Sequence, residues 1–196
     1  GISLAMMCAE RGYKCIIVMP SDMSEERKKM MKFFGAELQE VSEGNFDEAI
    51  EVKERLADTW GYKQLNQFNN PLNIECHKET TCKEILFDTM LKDYDSQISA
   101  FVGGTGTGGT LMGIQKGFES HGIKAKIVAV EPAESPVMSG GEKGLHGIQG
   151  IGDGSKFLVN LDKVDNIVTI STEEAKIRSR MLARDNGLFV GISSGA

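Results

Sequence analysis

Apolar positions along the chain recur in two alternating periods. Leu4, Met7 and Cys8 share a face at helical spacing, Gly12 closes that segment, and Cys15-Ile16-Ile17-Val18-Met19 is a short apolar run ended by Pro20. A helix followed by a strand is the pattern's reading. Ser24 stands as the cap of a second helix, with Glu25 and Glu26 suited to its positive end, Met30, Met31 and Phe34 inward and Gly35 at its end; residues 36–41 form the next strand. Phe46, Ala49, Ile50 and Ala57 mark a third amphipathic helix ended by Trp60-Gly61. Residues 62–65 then extend into Asn66-Gln67-Phe68-Asn69-Asn70-Pro71, a polar, proline-terminated stretch that is the best domain boundary.

Past that boundary, residues 74–91 read as one long helix, residues 98–102 as a buried strand, residues 111–118 as a helix after a glycine-rich turn, and residues 127–130 as another buried strand. From residue 131 to about residue 160 the periodicity disappears into a glycine-rich loop of the kind retained for binding. Residues 164–170 form a strand, Ser171 and Glu174 a capping box for a helix through Arg184, and Gly187 ends that helix before a last strand at residues 188–192. Strands alternating with helices predict an α/β protein of two units with mostly parallel sheets, residues 1–66 and residues 67–196.

Composition narrows the possibilities. The 196 residues are 40% hydrophobic and 26% charged, as in an ordinary folded protein, and the net charge of −6 has no one-sided basic stripe for a nucleic-acid backbone. No stretch reaches the roughly 18 consecutive apolar residues of a membrane span. Cys8, Cys15, Cys76 and Cys82 lack the clustering of a disulfide framework, so buried thiols in a reducing cytoplasm are expected. Adjacent Cys76 and His77 point to different sides of a helix, and no metal site is expected. Gly1 lies inside an apolar-periodic segment, and Ser193-Ser194-Gly195-Ala196 stands where a helix would begin, so an internal fragment of a longer protein is expected.

The strongest chemical signal is Gly103-Gly104-Thr105-Gly106-Thr107-Gly108-Gly109-Thr110, between an apolar strand and a helix. Glycines admit an anion close to the backbone, consecutive N–H groups converge on it, and the helix N-terminus favours its charge, so the motif should hold a phosphate. Gly104, Gly106 and Gly109 also fit the dinucleotide fingerprint, and Glu131 stands 22 residues beyond Gly109, where a ribose-binding acid belongs. Spacing alone favours a nicotinamide cofactor and an oxidoreductase. Pro132 after Glu131, the extra threonine hydroxyls and the mid-chain position of the motif weigh against it.

Further motifs decide between these readings. The Asn66–Pro71 stretch, Gly106-Thr107-Gly108-Gly109-Thr110, Val130-Glu131-Pro132-Ala133-Glu134-Ser135, Ser139-Gly140-Gly141, His146-Gly147-Ile148-Gln149-Gly150-Ile151-Gly152 and Val190-Gly191-Ile192-Ser193-Ser194-Gly195-Ala196 succeed one another along the whole chain. In this order they resemble the cysteine synthase (O-acetylserine sulfhydrylase) family of fold-type II pyridoxal-phosphate enzymes. The resemblance implies two three-layer α/β units, similar to the tryptophan synthase β fold, with the smaller N-terminal and the larger cofactor-binding. It implies that Gly106, Thr107, Gly108, Gly109 and Thr110 bind the 5′-phosphate of pyridoxal 5′-phosphate, that Ser194 bonds the pyridine nitrogen, that Gln67 helps hold the substrate carboxylate, and that Gly150 and Gly152 line the substrate pocket. Glu131 becomes a structural acid beside the loop.

The same resemblance implies formation of L-cysteine from O-acetyl-L-serine and sulfide by β-replacement, with a cystathionine β-synthase-like reaction as the near alternative. It also implies a homodimer and docking of a serine acetyltransferase C-terminal tail near Lys143 and His146. The family's Schiff-base lysine and asparagine loop precede the residues present, so no catalytic residue is assigned here and the 196 residues alone are expected to be inactive. Leu145 stands where the family commonly has proline, and Asp153 and Ser155 where alanine and phenylalanine are common. His77, His121 and His146 read as loop or surface residues.

Overall fold

The structure, a computed structural model, describes residues 1–91, 98–152 and 154–196; Asp153 lies outside the described residues. The chain forms two compact units, Gly1–Gln64 and Leu65–Ala196.

In the first unit, α1 (Ile2–Arg11), β1 (Ile16–Pro20), α2 (Glu25–Phe33), β2 (Glu37–Val41) and α3 (Phe46–Trp60) follow one another. β1 and β2 pair in parallel, from Ile16 opposite Glu37 to Pro20 opposite Val41. A parallel pair needs a crossover, which α2 provides. Ala5, Cys15, Met19, Met31 and Ala36 form one buried core cluster. Two residues expected inward lie outside: Met7 is 43% and Met30 48% exposed. The buried face of α1 centres on Ala5, about 200° around the helix from Met7. That of α2 runs through Lys28 and Met31, so a buried charge displaces the apolar pattern. The Lys28 ammonium donates to the Ser21 carbonyl and the Glu40 carboxylate, each at 2.7 Å, and pairs with Glu25 at 3.2 Å.

The second unit contains α4 (Leu72–Glu79), α5 (Thr81–Leu91), β3 (Ala100–Gly104), α6 (Gly109–Ser120), β4 (Lys126–Pro132), β5 (Asn166–Ile170), α7 (Thr172–Asn186) and α8 (Ile192–Gly195). Its three described strands form a parallel sheet in the order β3-β4-β5. Leu111, Ile114 and Phe118 of α6 join Ile127 and Ala129 of β4 in the largest core cluster. The Ser171–Glu174 capping box opens α7, and Gly187 ends it with φ +69°.

Four expectations are corrected here. The helix expected over residues 74–91 is two, broken at Thr80, whose N–H and hydroxyl both donate to the Cys76 carbonyl, at 2.9 and 2.7 Å. The break lets α4 approach α6 at Gly113 while α5 approaches at Gly117, where an added Cβ would overlap the Cys82 sulfur. The strand expected over residues 98–102 starts at Ala100 and alternates, with Phe101 half-buried and Val102 60% exposed. Residues 188–192 form no strand: no described strand pairs with them, Phe189 is 99% exposed, and the chain turns into α8 at Ile192. Finally, Cys76 is exposed, whereas Cys15 and Cys82 are buried thiols. Among the described residues no helix is long and apolar enough to cross a membrane.

Candidate cofactor and substrate site

Because β3, β4 and β5 are parallel, their C-terminal ends at Gly104, Pro132 and Ile170 share one edge of the sheet. Ligands of open α/β sheets bind along such an edge. The chain leaves β3 there, Thr105 N–H bonding back to the Val130 carbonyl at 3.1 Å, and enters α6 through Gly108. Gly108 has φ +85°, and a Cβ on it would stand 2.6 Å from Val159 Cγ2, so this position needs glycine twice over. A Cβ on Gly109 would overlap the Asn73 amide. Among the described residues, the N–H groups of Gly106, Thr107, Gly108, Thr110 and Leu111 have no protein acceptor. Five unpartnered donors around the N-terminus of a twelve-residue helix form a cradle that fits a phosphate.

The long loop closes on this edge. Gly152 N–H donates to the Thr105 carbonyl at 2.9 Å, and Leu158 N–H to the Thr107 carbonyl at 3.1 Å. Phe157, with φ +42°, stacks on Phe68, ring centroids 4.4 Å apart. The His146 ring is built into the loop: Ile148 N–H donates to Nδ1 at 3.2 Å, so Nε2 carries the hydrogen donated to the Gly152 carbonyl at 3.1 Å. Burial alone would raise the Glu134 carboxyl, but hydrogen bonds led by the Thr172 N–H hold it below the usual carboxylate range. The Thr172 hydroxyl in turn accepts from Gly147 N–H at 2.9 Å.

Glu131 is only 1% exposed, and its carboxylate accepts from Met138 N–H at 2.8 Å, Ser139 N–H at 2.9 Å and the Ser139 hydroxyl at 2.5 Å. An acid engaged in this way folds the start of the loop and does not offer itself to a ribose. The dinucleotide reading of the spacing is therefore corrected.

Of the residues singled out from sequence, Gly106, Thr107, Gly108 and Thr110 supply four of the five donors of the cradle, and Gly109, whose N–H donates to Thr107 Oγ1 at 3.3 Å, completes its turn. Gln67 is tied to it through Asn73, whose amide nitrogen donates to the Gln67 carbonyl at 2.9 Å and to Thr107 Oγ1 at 3.1 Å. Gly152 abuts Thr105, while Gly150 is exposed with φ +100°. Ser194 lies exposed on α8, whose Ile192 packs in the cluster of Ile148, Ile151 and Ala175; no described hydrogen bond joins Ser194 to residues 106–110.

Asn73 and His77 were the residues missed. They stand four apart on α4, and His77 Nε2 meets Thr110 Oγ1 at 3.2 Å while Nδ1 meets Thr81 Oγ1 at 2.9 Å. Spacing i, i+4 was the available signal. Nothing in a sequence says that α4 crosses the start of α6. The expectation that the histidines are loop or surface residues is thus corrected for His77, which is half-buried on a helix.

The family model described as pyridoxal-phosphate dependent enzyme matches residues 1–196. Over 204 aligned residues the chain is 42% identical to a cysteine synthase of Staphylococcus aureus, covering 100% of this chain and 63% of that protein. The crystal structure of a cysteine synthase from Entamoeba histolytica superposes with a TM-score of 0.88 at 40% identity, over 100% of this chain and 57% of that one. An O-acetylserine-dependent cystathionine β-synthase from Helicobacter pylori gives 0.86 at 32% identity, over 99% of this chain and 62% of the other. The chain thus spans less than two thirds of the length of each of these three relatives.

Proposed function

The chain belongs to the pyridoxal-phosphate dependent enzyme family, and on that premise we propose that the intact protein forms L-cysteine from O-acetyl-L-serine and sulfide, releasing acetate. The cradle at the start of α6 carries this reading, because its five unpartnered N–H groups fit the cofactor's phosphate. The similarity to cysteine synthases at 42% and 40% identity supports the choice of substrates. When bound, pyridoxal 5′-phosphate supplies an electron-withdrawing ring that eases loss of the α-proton and departure of the β-substituent.

Each candidate residue then has a task. Gly106, Thr107, Gly108 and Thr110 hold the phosphate by backbone N–H groups, joined by the Thr107 hydroxyl, while Gly109, its N–H on Thr107 Oγ1, serves the same phosphate turn. Gln67 helps hold the amino acid's carboxylate, and Gly150 and Gly152 line the pocket for its side chain on a loop held by Glu131 and His146. The neutral hydroxyl of Ser194 serves the pyridine nitrogen, and its lack of charge suits β-replacement better than a reaction that needs a protonated ring. Residues 1–66 contribute the smaller domain and residues 67–196 the cofactor domain of a cytoplasmic homodimer. Exposed Lys143 marks the loop where the carboxylate of a serine acetyltransferase tail would dock.

The similarity to an O-acetylserine-dependent cystathionine β-synthase favours one second reading, in which a larger thiol replaces sulfide. Rates of the full-length protein with O-acetylserine and either sulfide or homocysteine separate the two. We expect kcat/KM for sulfide to be at least about tenfold higher, a difference of about 1.4 kcal/mol in transition-state binding. The reverse preference overturns the cysteine synthase reading in favour of the second.

A further inference from the structure

Asn73 has no role in the reading above, yet its amide lies where the cofactor loop and the substrate turn meet. Its orientation is fixed by chemistry: the Gln67 carbonyl can only accept, so the atom 2.9 Å from it must be the amide nitrogen. That same nitrogen donates to Thr107 Oγ1 at 3.1 Å, and Gly109 N–H donates to Thr107 Oγ1 at 3.3 Å. Two donors occupy both lone pairs of the Thr107 hydroxyl. Its own hydrogen is then free only to donate, and among the described residues no acceptor receives it. The amide oxygen faces Gly109, where only a residue without Cβ leaves it room.

We propose that Asn73 is a positioning residue that makes the Thr107 hydroxyl an obligate donor to the cofactor phosphate and fixes the backbone of the Gln67 turn to the same loop. The proposal rests on the reading of residues 106–110 as the phosphate cradle. It explains why an asparagine suits this position: an aspartate would accept from the Thr107 hydroxyl, turn its hydrogen away from the anion, and bring a second negative charge beside it. An alanine would release both Thr107 and the Gln67 turn.

The test uses the full-length protein stripped of cofactor and titrated separately with pyridoxal 5′-phosphate and with pyridoxal, which lacks the phosphate. Asn73→Asp should weaken pyridoxal phosphate binding by about 10- to 100-fold, the range for one charge-assisted hydrogen bond, and leave pyridoxal binding unchanged. Thr107→Val, which removes the donor and keeps the shape, should reproduce that phosphate-selective loss, and combining it with Asn73→Ala should add little to the loss from Thr107→Val alone. Wild-type affinity for pyridoxal phosphate in Asn73→Asp overturns the proposal. So does an equal loss for both ligands with a lowered apoprotein Tm, which would make Asn73 only a packing residue. If Asn73→Asp fails to fold, additive losses from Asn73→Ala and Thr107→Val overturn it. A wild-type protein that binds pyridoxal as tightly as pyridoxal phosphate overturns the cradle reading itself, and the two failures are thereby told apart.

Discussion

Replacing Glu131 by glutamine should destabilise the protein far more than a single lost charge on a surface would. The carboxylate is 1% exposed, with one oxygen receiving Met138 N–H at 2.8 Å and the other receiving both Ser139 N–H and the Ser139 hydroxyl, at 2.9 and 2.5 Å. Glutamine has the same length but one acceptor oxygen. Placing that oxygen on the Ser139 side turns the amide NH2 toward Met138 N–H, so two donors face each other in a site closed to water. The change loses a hydrogen bond to a charged group, about 1.5–3 kcal/mol, and leaves a buried N–H without an acceptor, for a total of about 2–4 kcal/mol. At about 2–4 °C per kcal/mol for a chain of this size, thermal unfolding should show Tm lowered by about 4–16 °C. Ser139→Ala, which removes only the hydroxyl, should cost about half as much. A Glu131→Gln variant within about 0.5 kcal/mol of wild type would refute the reasoning, because a carboxylate held open for a ligand, and not for the loop, would show that indifference.

Gly113→Ala should destabilise by about 1–3 kcal/mol in denaturant titration, since a Cβ there stands 2.5 Å from His77 Cβ and 2.7 Å from the Ile74 carbonyl; a neutral result would mean that α4 and α6 do not meet so closely. The Glu134 carboxyl is held below its ordinary value of 4.5, so its contribution to stability is complete above that value and fades as pH falls through the lower folded-state value. Glu134→Gln should flatten the acid limb of a Tm-against-pH profile below about pH 4.5, and an unchanged limb would contradict the Thr172 contact. Ser194→Ala should weaken cofactor binding by no more than about tenfold, as fits one neutral hydrogen bond, while Ser194→Asp should alter the cofactor's visible spectrum; wild-type behaviour from both would remove Ser194 from the pyridine nitrogen.

Local signals in the sequence were legible where one chain segment decides the outcome. The Ser171–Glu174 box, the glycines that end α1, α3 and α7, and the glycine-threonine turn into α6 all act within a few residues, and each lies where the pattern puts it. Features set by a second segment were not legible. Lys28 is buried because Glu40 and the Ser21 carbonyl come to it from β2 and the turn after β1, and no periodicity within α2 announces them. The break at Thr80 serves two contacts with α6, and the apolar run at residues 188–192 lacks a ladder partner among the described strands. At the site, Gly108 and Gly109 advertise a close approach, yet the groups that approach, Val159 and Asn73, lie 51 residues after Gly108 and 36 before Gly109. The spacing of Glu131 satisfied a dinucleotide fingerprint because spacing records where an acid stands and says nothing of the three donors that occupy it.

The most direct test of the whole account is a crystal structure of the full-length protein with its cofactor bound. The account predicts pyridoxal 5′-phosphate with its phosphate at the start of α6, oxygens within hydrogen-bond distance of the N–H groups of Gly106, Thr107, Gly108 and Thr110 and of the Thr107 hydroxyl. A phosphate bound elsewhere, with those N–H groups turned to water or to protein carbonyls, would contradict it.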